Sequence, residues 1–479
     1  MFDILTSIFE GLFKLLVELF KLIFGSFEKK KGYHADFATE GSLLSRWNYG
    51  FSLTGRKQIT VKDSFMNCLV AGSTGSGKTQ VSLLSGLFAM RSSYIVHDPS
   101  SELFAKSAGY LKQKGYDVKV LHFSKPEISA GFNPMSRVNS SSEIQKLASM
   151  LVRTSLSSGK EDPFWTSQAI ALLAILIAIL KTQPPEFQNL FNVRVLLNQL
   201  NAATENENNP VDELFSRFAD PILYNEYKSV ITLDDKLLSS IIATAKSALT
   251  IFADESVARV TATDTIDFSD FRKQPTVLYL QNSISDQKYY SVLTSIFFEQ
   301  LTSYLLSRFP EDKEQSIFLF IDEFSSLRVP VFPAAFANVR KHRAGIMAVV
   351  QDFNQVVGSY GKQDAEAIRA NCFAKVYFGG GSLETTQELE KIVGRYTYKD
   401  EDGKKETRPL LTNDEIRMLK HNRALLICGS HPPILARMRP AYKSLRYRRY
   451  MAIPAPTVKG DCSGTVQILP LGNPDRTDA

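Results

Sequence analysis

Residues 72–79 of the chain read Gly72-Ser73-Thr74-Gly75-Ser76-Gly77-Lys78-Thr79. They fit the pattern G-x-x-x-x-G-K-[ST] completely, and in that pattern the glycines let backbone N–H groups wrap around phosphates. The lysine reaches the β- and γ-phosphate oxygens, and the threonine hydroxyl is a Mg²⁺ ligand. The loop follows an apolar stretch at 66–71 and precedes a helical pattern at 80–90, which is the context such a loop requires. We therefore predict a P-loop that binds ATP and Mg²⁺, with Lys78 catalytic and Thr79 on the metal.

The acidic partners that a P-loop needs follow a second apolar run. Residues 317–321 read Ile-Phe-Leu-Phe-Ile, and Asp322 and Glu323 come directly after them. A carboxylate at the tip of a strand can hold Mg²⁺ or its bound water, and a neighbouring carboxylate can polarise the attacking water. We predict that Asp322 is a catalytic residue and metal ligand, and that Glu323 is the catalytic carboxylate that acts on water.

Two further residues are candidates for a role in hydrolysis. Gln351 follows the apolar run 346–350, so its amide is expected beside the γ-phosphate. Arg343 ends the basic cluster 340–343 and is the candidate arginine finger that reaches the nucleotide of a neighbouring subunit. The alternatives are an ordinary polar residue at the end of a strand for Gln351 and a solvated charge cluster for Arg343.

Apolar runs alternate with helical patterns along most of the chain, which is typical of a parallel sheet covered by helices. Strand-like runs lie at 66–71, 94–97, 118–122, 276–280, 317–321, 346–350, 373–378 and 424–428. Between about 140 and 262 only helical patterns occur, at 144–154, 165–182, 193–200, 212–218 and 237–252. We predict an α/β fold with an all-α domain inserted into a P-loop ATPase domain. The predicted divisions are 1–28 (amphipathic helix), 29–140 and 263–450 (ATPase domain), 141–262 (inserted domain) and 451–479 (flexible tail).

The first 27 residues have the pattern of an amphipathic helix. Polar residues recur every three or four positions, a wide face is rich in phenylalanine, and three lysines follow at 29–31. Charges interrupt every window of about 18 residues, so the segment is expected to lie in the plane of a membrane surface or against a partner. The alternatives are a helix docked on the protein's own core or in an oligomer, and a helix that spans the membrane only within a bundle.

A second basic segment occurs near the carboxyl end of the chain. The formal net charge is +6 and the pI is about 8.9, which fits contact with nucleic acid or anionic lipid without proving either. Residues 437–450 hold six cations, three tyrosines and no acid. Phosphates attract cations and single-stranded bases stack on tyrosine, so a nucleic-acid contact is a physically sensible interpretation. The alternative is a basic edge that faces lipid headgroups, a partner or solvent.

Taken together, the motifs resemble those of the coupling-protein ATPases of type IV secretion and conjugation, a TraG/TraD-like family within the HerA–FtsK superfamily. The resemblance covers about residues 67–442. Besides the P-loop and the Asp322–Glu323 pair, it rests on Asp98-Pro99-Ser100-Ser101-Glu102, Gly131-Phe132-Asn133-Pro134, Asp162-Pro163-Phe164-Trp165, Tyr360-Gly361 and the segment 409–415. Ser100 and Ser101 stand where the family usually has Lys and Gly.

The resemblance implies a RecA-like motor domain, an all-α domain and a homo-oligomer, expected to be a hexamer around a central channel. It also implies ATP-driven movement of DNA, expected to be single-stranded, or of nucleoprotein, with secretion-channel and relaxase-type proteins as partners. The expected location is the cytoplasmic face of the bacterial inner membrane, held peripherally or by a partner. Two alternatives stay open: a soluble DNA pump for segregation, packaging or defence, and a recruitment platform that nucleotide only stabilises.

Overall fold

A nine-stranded sheet forms the centre of the protein. The structure is a computed structural model that describes residues 35–155, 163–202, 209–282, 284–399 and 402–471, and the predicted helix at 1–28 lies outside this part. The sheet strands are β1 (Cys68–Ala71), β2 (Ser93–His97), β3 (Asp117–Leu121), β4 (Thr276–Leu280), β5 (Ile317–Ile321), β6 (Ala344–Val350), β7 (Ala374–Phe378), β10 (Arg423–Cys428) and β11 (Ile434–Arg437). All eight predicted strands are therefore present in this sheet, and β11 is the one strand of the sheet that was not predicted.

Seven neighbouring strands of the sheet run parallel. The order is β11-β10-β7-β1-β6-β5-β2-β4-β3, and only β10 pairs antiparallel with its two neighbours. Because β1, β6 and β5 are adjacent and parallel, their carboxyl ends open onto the same edge of the sheet. The predicted α/β class with a parallel-rich sheet is confirmed.

Helices cover both faces of the sheet, and each strand sends alternate side chains into two separate cores. In β1, Cys68 and Val70 pack in one core, whereas Leu69 and Ala71 pack in the other. The first core is covered by α2 (Thr79–Ala89), α3 (Glu102–Gln113) and α18 (Leu445–Met451). The second is covered by α12 (Gln287–Ser307), α13 (Phe332–Asn338), α14 (Phe353–Tyr360) and α15 (Lys362–Ala370). Burial on both faces explains why the strands are almost entirely apolar.

Between residues 141 and 262 the described residues form helices and no strand. They are α4 (Ser141–Ser155), α5 (Pro163–Lys181), α6 (Leu190–Ala202), α7 (Pro210–Phe218), α8 (Pro221–Ile231), α9 (Asp235–Ala248) and α10 (Glu255–Ala262). Helix α5 packs against α4, α6, α8 and α9. It is also the one helix in the described residues that is long and apolar enough to cross a membrane. The buried residues of this region and of the second face of the sheet form one continuous core, so the domain divisions stay a prediction.

The remaining elements are short. Four short helices each precede a strand: α1 (Val61–Ser64) precedes β1, α11 (Asp270–Lys273) precedes β4, α16 (Leu383–Val393) precedes β8, and α17 (Asn413–Arg417) precedes β10. Strand β8 (Arg395–Lys399) pairs with β9 (Lys405–Pro409) in a separate hairpin. The part of the predicted tail at 452–471 has no helix or strand. It is nevertheless bound to the protein, because Arg259 donates to the Cys462 carbonyl at 2.9 Å and Leu469 N–H to Asn192 Oδ1 at 3.0 Å.

Candidate nucleotide site

The P-loop connects β1 to α2 at the carboxyl edge of the sheet. Gly75 and Gly77 have φ angles of +78° and +92°, a conformation that side-chain-bearing residues rarely adopt. The ammonium group of Lys78 is largely buried and donates to the Gly72 carbonyl and, at 3.0 Å, to the Ser73 carbonyl. Burial lowers the pKa of Lys78, although the charges of Glu323 and Asp322 oppose that shift. The lysine thus lies at the mouth of the loop, facing the two predicted carboxylates.

Three hydrogen bonds, two to its carboxylate and one to its carbonyl, hold Asp322 beside the P-loop. Thr79 Oγ1 donates to Asp322 Oδ2 at 3.3 Å, and the Glu323 N–H donates to Oδ1 at 3.1 Å. The Asp322 carbonyl accepts from Nδ1 of His97 at 2.7 Å, which requires the proton of the imidazole to sit on Nδ1. Burial, together with the charge of Glu323, raises the pKa of Asp322 to about 6. Burial lowers the pKa of His97 to about 4, so this histidine is a neutral support for the strand end.

Glu323 and Gln351 face each other at the ends of β5 and β6. Glu323 has a φ of +52°, which costs a non-glycine residue roughly 1 kcal/mol and turns its side chain away from the course of the strand. The Gln351 amide donates to both carboxylate oxygens of Glu323, at 3.3 and 3.4 Å. Gln351 therefore contacts the predicted catalytic carboxylate directly, a pairing that the sequence did not reveal.

The residues present fit a nucleotide with Mg²⁺. Ser76 Oγ is buried in the P-loop and has no hydrogen-bond partner among the described residues, as expected for a group aimed at a ligand. The hydroxyl of Thr79 and the carboxylate of Asp322 are both oxygen donors, the type that Mg²⁺ prefers. The backbone N–H groups of the loop supply the donors for phosphate oxygens.

Two neighbouring segments complete the site, and neither was assigned a catalytic or binding role from the sequence. The loop Gly379-Gly380-Gly381 after β7 lies against the P-loop, where Ser73 Oγ donates to the Gly379 carbonyl at 3.4 Å. Its three consecutive glycines after a strand were the signal that sequence reasoning overlooked. The second segment is the loop 98–102. The side-chain amide of Gln80, which follows Thr79 directly, donates to the Glu102 carboxylate at the end of this loop at 2.7 Å.

The loop that carries Glu102 differs from the family pattern at a strained position. Ser101 has a φ of +58°, a left-handed conformation that the glycine usual in the family adopts without cost. Asp98 accepts the N–H groups of Leu103 and Phe104, which fixes the start of α3. The loop thus presents Glu102 to the first turn of α2.

Arg343 is not brought to the site within its own chain. It precedes β6, whereas Gln351 follows this seven-residue strand, so the two lie about 26 Å apart along the strand. Its guanidinium donates to the carbonyls of Glu311 and Asp312, at 2.9 and 3.2 Å. A role on a neighbouring subunit's nucleotide stays a prediction.

The basic segment 437–450 lies on another part of the surface, and two of its three tyrosines belong to the protein's own packing. Tyr447 is buried with its ring 5.3 Å from that of Phe88, and Tyr450 stacks on Tyr110 with ring centres 3.9 Å apart. The expectation that these rings stack on bases is therefore wrong for Tyr447 and Tyr450.

Comparison with known proteins relates most of the chain to one family. A family model described as Type IV secretory system Conjugative DNA transfer matches residues 24–459. Protein VirD4 of Agrobacterium fabrum is 23% identical over 443 residues, covering 84% of this chain and 62% of the relative. The conjugal transfer protein TraG of Escherichia coli is 25% identical over 452 residues, which cover 80% of this chain and 68% of TraG. The chain thus spans about three fifths of the length of the VirD4 relative.

Solved structures of the same fold include the plasmid coupling protein TrwB. Its complex with ADP and Mg²⁺ has a TM-score of 0.67 and 17% identity, covering 88% of this chain and 97% of that chain. An unbound form of TrwB has the same TM-score, and the match covers 85% of this chain and 93% of that chain. The likeness confirms the predicted RecA-like arrangement of sheet and helices.

Proposed function

The chain belongs to the type IV secretory system conjugative DNA transfer family, and on that premise we propose that it is a coupling ATPase for DNA transfer. In this proposal it hydrolyses ATP and uses the energy to move DNA, alone or with attached protein, into a type IV secretion apparatus. The observation that carries the proposal is the contact of the Gln351 amide with the Glu323 carboxylate, beside the Thr79–Asp322 pair. A site that only held nucleotide would not need an oriented second carboxylate.

Each residue of the site has a distinct role in the proposed hydrolysis. The P-loop N–H groups and Lys78 bind the phosphates, and the Thr79 hydroxyl and Asp322 hold Mg²⁺. When bound, Mg²⁺ neutralises charge that develops on the phosphate oxygens. Glu323 accepts a hydrogen bond from the attacking water and takes its proton, while Gln351 keeps the carboxylate in position. The known TrwB complex with ADP and Mg²⁺ supports this choice of ligands.

We extend the proposal to a homo-oligomer, a hexamer by family resemblance, in which Arg343 acts across the subunit boundary. Arg343 lies at the amino end of β6, far from its own nucleotide site, so only a neighbouring subunit offers it a phosphate. Substitution Arg343→Ala should lower turnover per subunit about a thousandfold while leaving nucleotide affinity unchanged. Mixing this variant with Lys78→Ala should restore part of the turnover, since each variant supplies what the other lacks.

A test of the variant Glu323→Gln in living cells separates a motor from a recruitment platform. Glu323→Gln keeps the size of the side chain and its contact with Gln351 but removes the base. If the protein is a motor, conjugative DNA transfer should fall to the background of a deletion strain although the variant is present at normal levels. Full transfer by Glu323→Gln would favour a platform in which nucleotide only holds the assembly together.

The setting that we propose is the cytoplasmic face of the bacterial inner membrane, with secretion-channel and relaxase-type proteins as partners. The support is family membership and the phenylalanine-rich pattern at 1–28. Deletion of residues 1–28 should release the protein from the membrane fraction and reduce transfer. Unchanged fractionation and unchanged transfer would favour a soluble DNA pump of the HerA–FtsK type.

A further inference from the structure

A cleft rich in cations lies between residues 40–58 and residues 422–448. It consists of two adjoining cavities of about 830 and 260 Å³ that share Arg46, Arg56 and Arg439 in their walls. The cations that line the two cavities are Arg46, Arg56, Lys57, Arg437, Arg439, Lys443, Arg446 and Arg448, and the single acid is Glu40. No part of this cleft belongs to the nucleotide site described above.

The positive charge of the cleft is not neutralised by the protein. Glu40 pairs with Lys57 at 3.0 Å and also accepts the backbone N–H of Arg437. None of the other seven cations forms an ion pair with a carboxylate in the part of the chain that the structure describes. Like charges gathered in a concave surface repel one another and focus a positive potential, which an anionic ligand relieves.

Backbone contacts within and between the two walls fix the backbone that carries the cations. Arg439 N–H donates to the Thr54 carbonyl at 2.9 Å, and Ser45 and Gln58 exchange backbone hydrogen bonds at 3.0 and 2.9 Å. Gly55 has a φ of +75°, and a Cβ there would lie only 1.9 Å from the Arg439 carbonyl oxygen. The amino- and carboxyl-terminal parts of the described chain therefore build one preformed site.

Exposed aromatic rings flank the cations. Trp47, next to Arg46, is 81% exposed, and Tyr442 in the cleft wall is 53% exposed. Tyr49 lies at the other end with its ring under the guanidinium of Arg91, 4.7 Å away. A groove that binds single-stranded nucleic acid combines cations, which contact the phosphates, with exposed aromatic rings, on which the bases stack. This cleft has both features. A concave cleft suits a chain of phosphates better than the flat surface of a bilayer.

We propose that this cleft binds single-stranded nucleic acid, with the arginines on its phosphates and Trp47 and Tyr442 stacked on unpaired bases. The inference rests on the proposed function in DNA transfer and names the surface that holds the strand. Residues 40–58, which form one side of the cleft, also contact the P-loop helix, since buried Ser52 Oγ donates to the Val81 carbonyl at 3.3 Å.

The test uses the full-length protein and a fluorescein-labelled oligothymidylate of about 20 nucleotides. The variant is the triple substitution Arg46→Gln, Arg56→Gln and Arg448→Gln, three arginines of the cleft whose side chains make no ion pair with any described residue. A matched control removes the same charge elsewhere, with Arg217→Gln, Lys236→Gln and Lys288→Gln, all exposed. Fluorescence anisotropy measures affinity at several salt concentrations.

The cleft variant should bind the oligonucleotide about tenfold or more weakly. A plot of the logarithm of its association constant against the logarithm of salt concentration should be less steep by about 2, because three phosphate contacts are lost. Trp47→Ala should weaken binding roughly fivefold or more through the lost stacking, at an unchanged salt slope. The control variant should match the wild type. Equal binding by the cleft variant and the wild type would overturn the inference while leaving the proposed function intact.

Two other outcomes are informative. A wild-type protein that binds no DNA would overturn the proposed function itself, and the cleft inference with it. Vesicles containing about 30% phosphatidylserine test the lipid alternative. If the cleft variant loses vesicle binding but keeps DNA affinity, the cleft is a lipid-binding surface and the nucleic-acid inference is wrong.

Discussion

Replacing Asp322 by asparagine should stabilise the protein in the absence of nucleotide and weaken its response to Mg-ATP. The Asp322 carboxylate is buried beside Glu323, and its pKa is raised from the ordinary 3.8 to about 6. Because the folded state holds this proton more tightly than the unfolded chain, ionisation of Asp322 costs stability. The cost is absent below pH 3.8, grows between pH 3.8 and about 6, and is complete above that range.

The size of the effect follows from the two pKa values. A rise from 3.8 to about 6 corresponds to about 3 kcal/mol at pH 7.5, and roughly half of that at pH 5. Asparagine carries no charge and keeps an oxygen that can accept from the Glu323 N–H. In a chain of this size the gain should raise the thermal midpoint by about 3 to 5 °C at pH 7.5.

The assay is thermal unfolding of wild type, Asp322→Asn and the exposed-site control Asp312→Asn, at about pH 5 and pH 7.5. Saturating Mg-ATP should then stabilise the wild type by about 2.7 kcal/mol at a hundredfold excess over Kd, and Asp322→Asn by much less. The control should match the wild type throughout. A nucleotide-free Asp322→Asn protein that melts at or below the wild-type temperature at pH 7.5 would refute the reasoning.

Other predictions concern the contacts around the site and the cleft. Gln351→Ala should lower kcat about tenfold to a hundredfold and leave nucleotide Kd within about twofold, because in the proposed mechanism Gln351 acts by positioning Glu323; a parallel loss of affinity in titrations with a fluorescent nucleotide would contradict this role. Gly55→Ala should cost about 2 to 4 kcal/mol in thermal unfolding, since its Cβ would overlap the Arg439 carbonyl at a positive φ. Gly358→Ala, in α14 with open space around its Cβ, should stabilise by about 0.5 to 1 kcal/mol and is the matched control; equal destabilisation by both changes would show that the Gly55 contact is not the cause.

The phosphate-binding half of the site was predictable because its signals are local. The pattern at 72–79 fixes the loop, and five buried apolar residues before Asp322 fix a strand whose tip must reach the edge of a parallel sheet. Gln351 was expected at the same edge for the same reason. Its contact with Glu323 was not predictable, because the contact depends on β6 lying between β1 and β5 in the sheet.

Helices and strands whose apolar residues do not recur on one face were harder to predict. The hairpin strand Lys405–Pro409 is mostly exposed and polar, so it carries no apolar run. Helix α12 was missed because Val292 to Phe298 are buried without interruption, which removes the helical period from the pattern. The cleft depends on contact between residues about 380 positions apart in the chain, such as Thr54 and Arg439. From the sequence, only the carboxyl-terminal wall of the cleft was recognised, as the basic segment 437–450.

The most direct test of the central claim is steady-state ATP turnover by the purified full-length protein, with and without single- and double-stranded DNA. The wild type should hydrolyse ATP faster with DNA present. Lys78→Ala and Glu323→Gln should each lose about a hundredfold or more of that activity, since one removes the phosphate contact and the other the base. Turnover that ignores DNA, or that persists in Glu323→Gln, would contradict a DNA-coupled ATPase at this site.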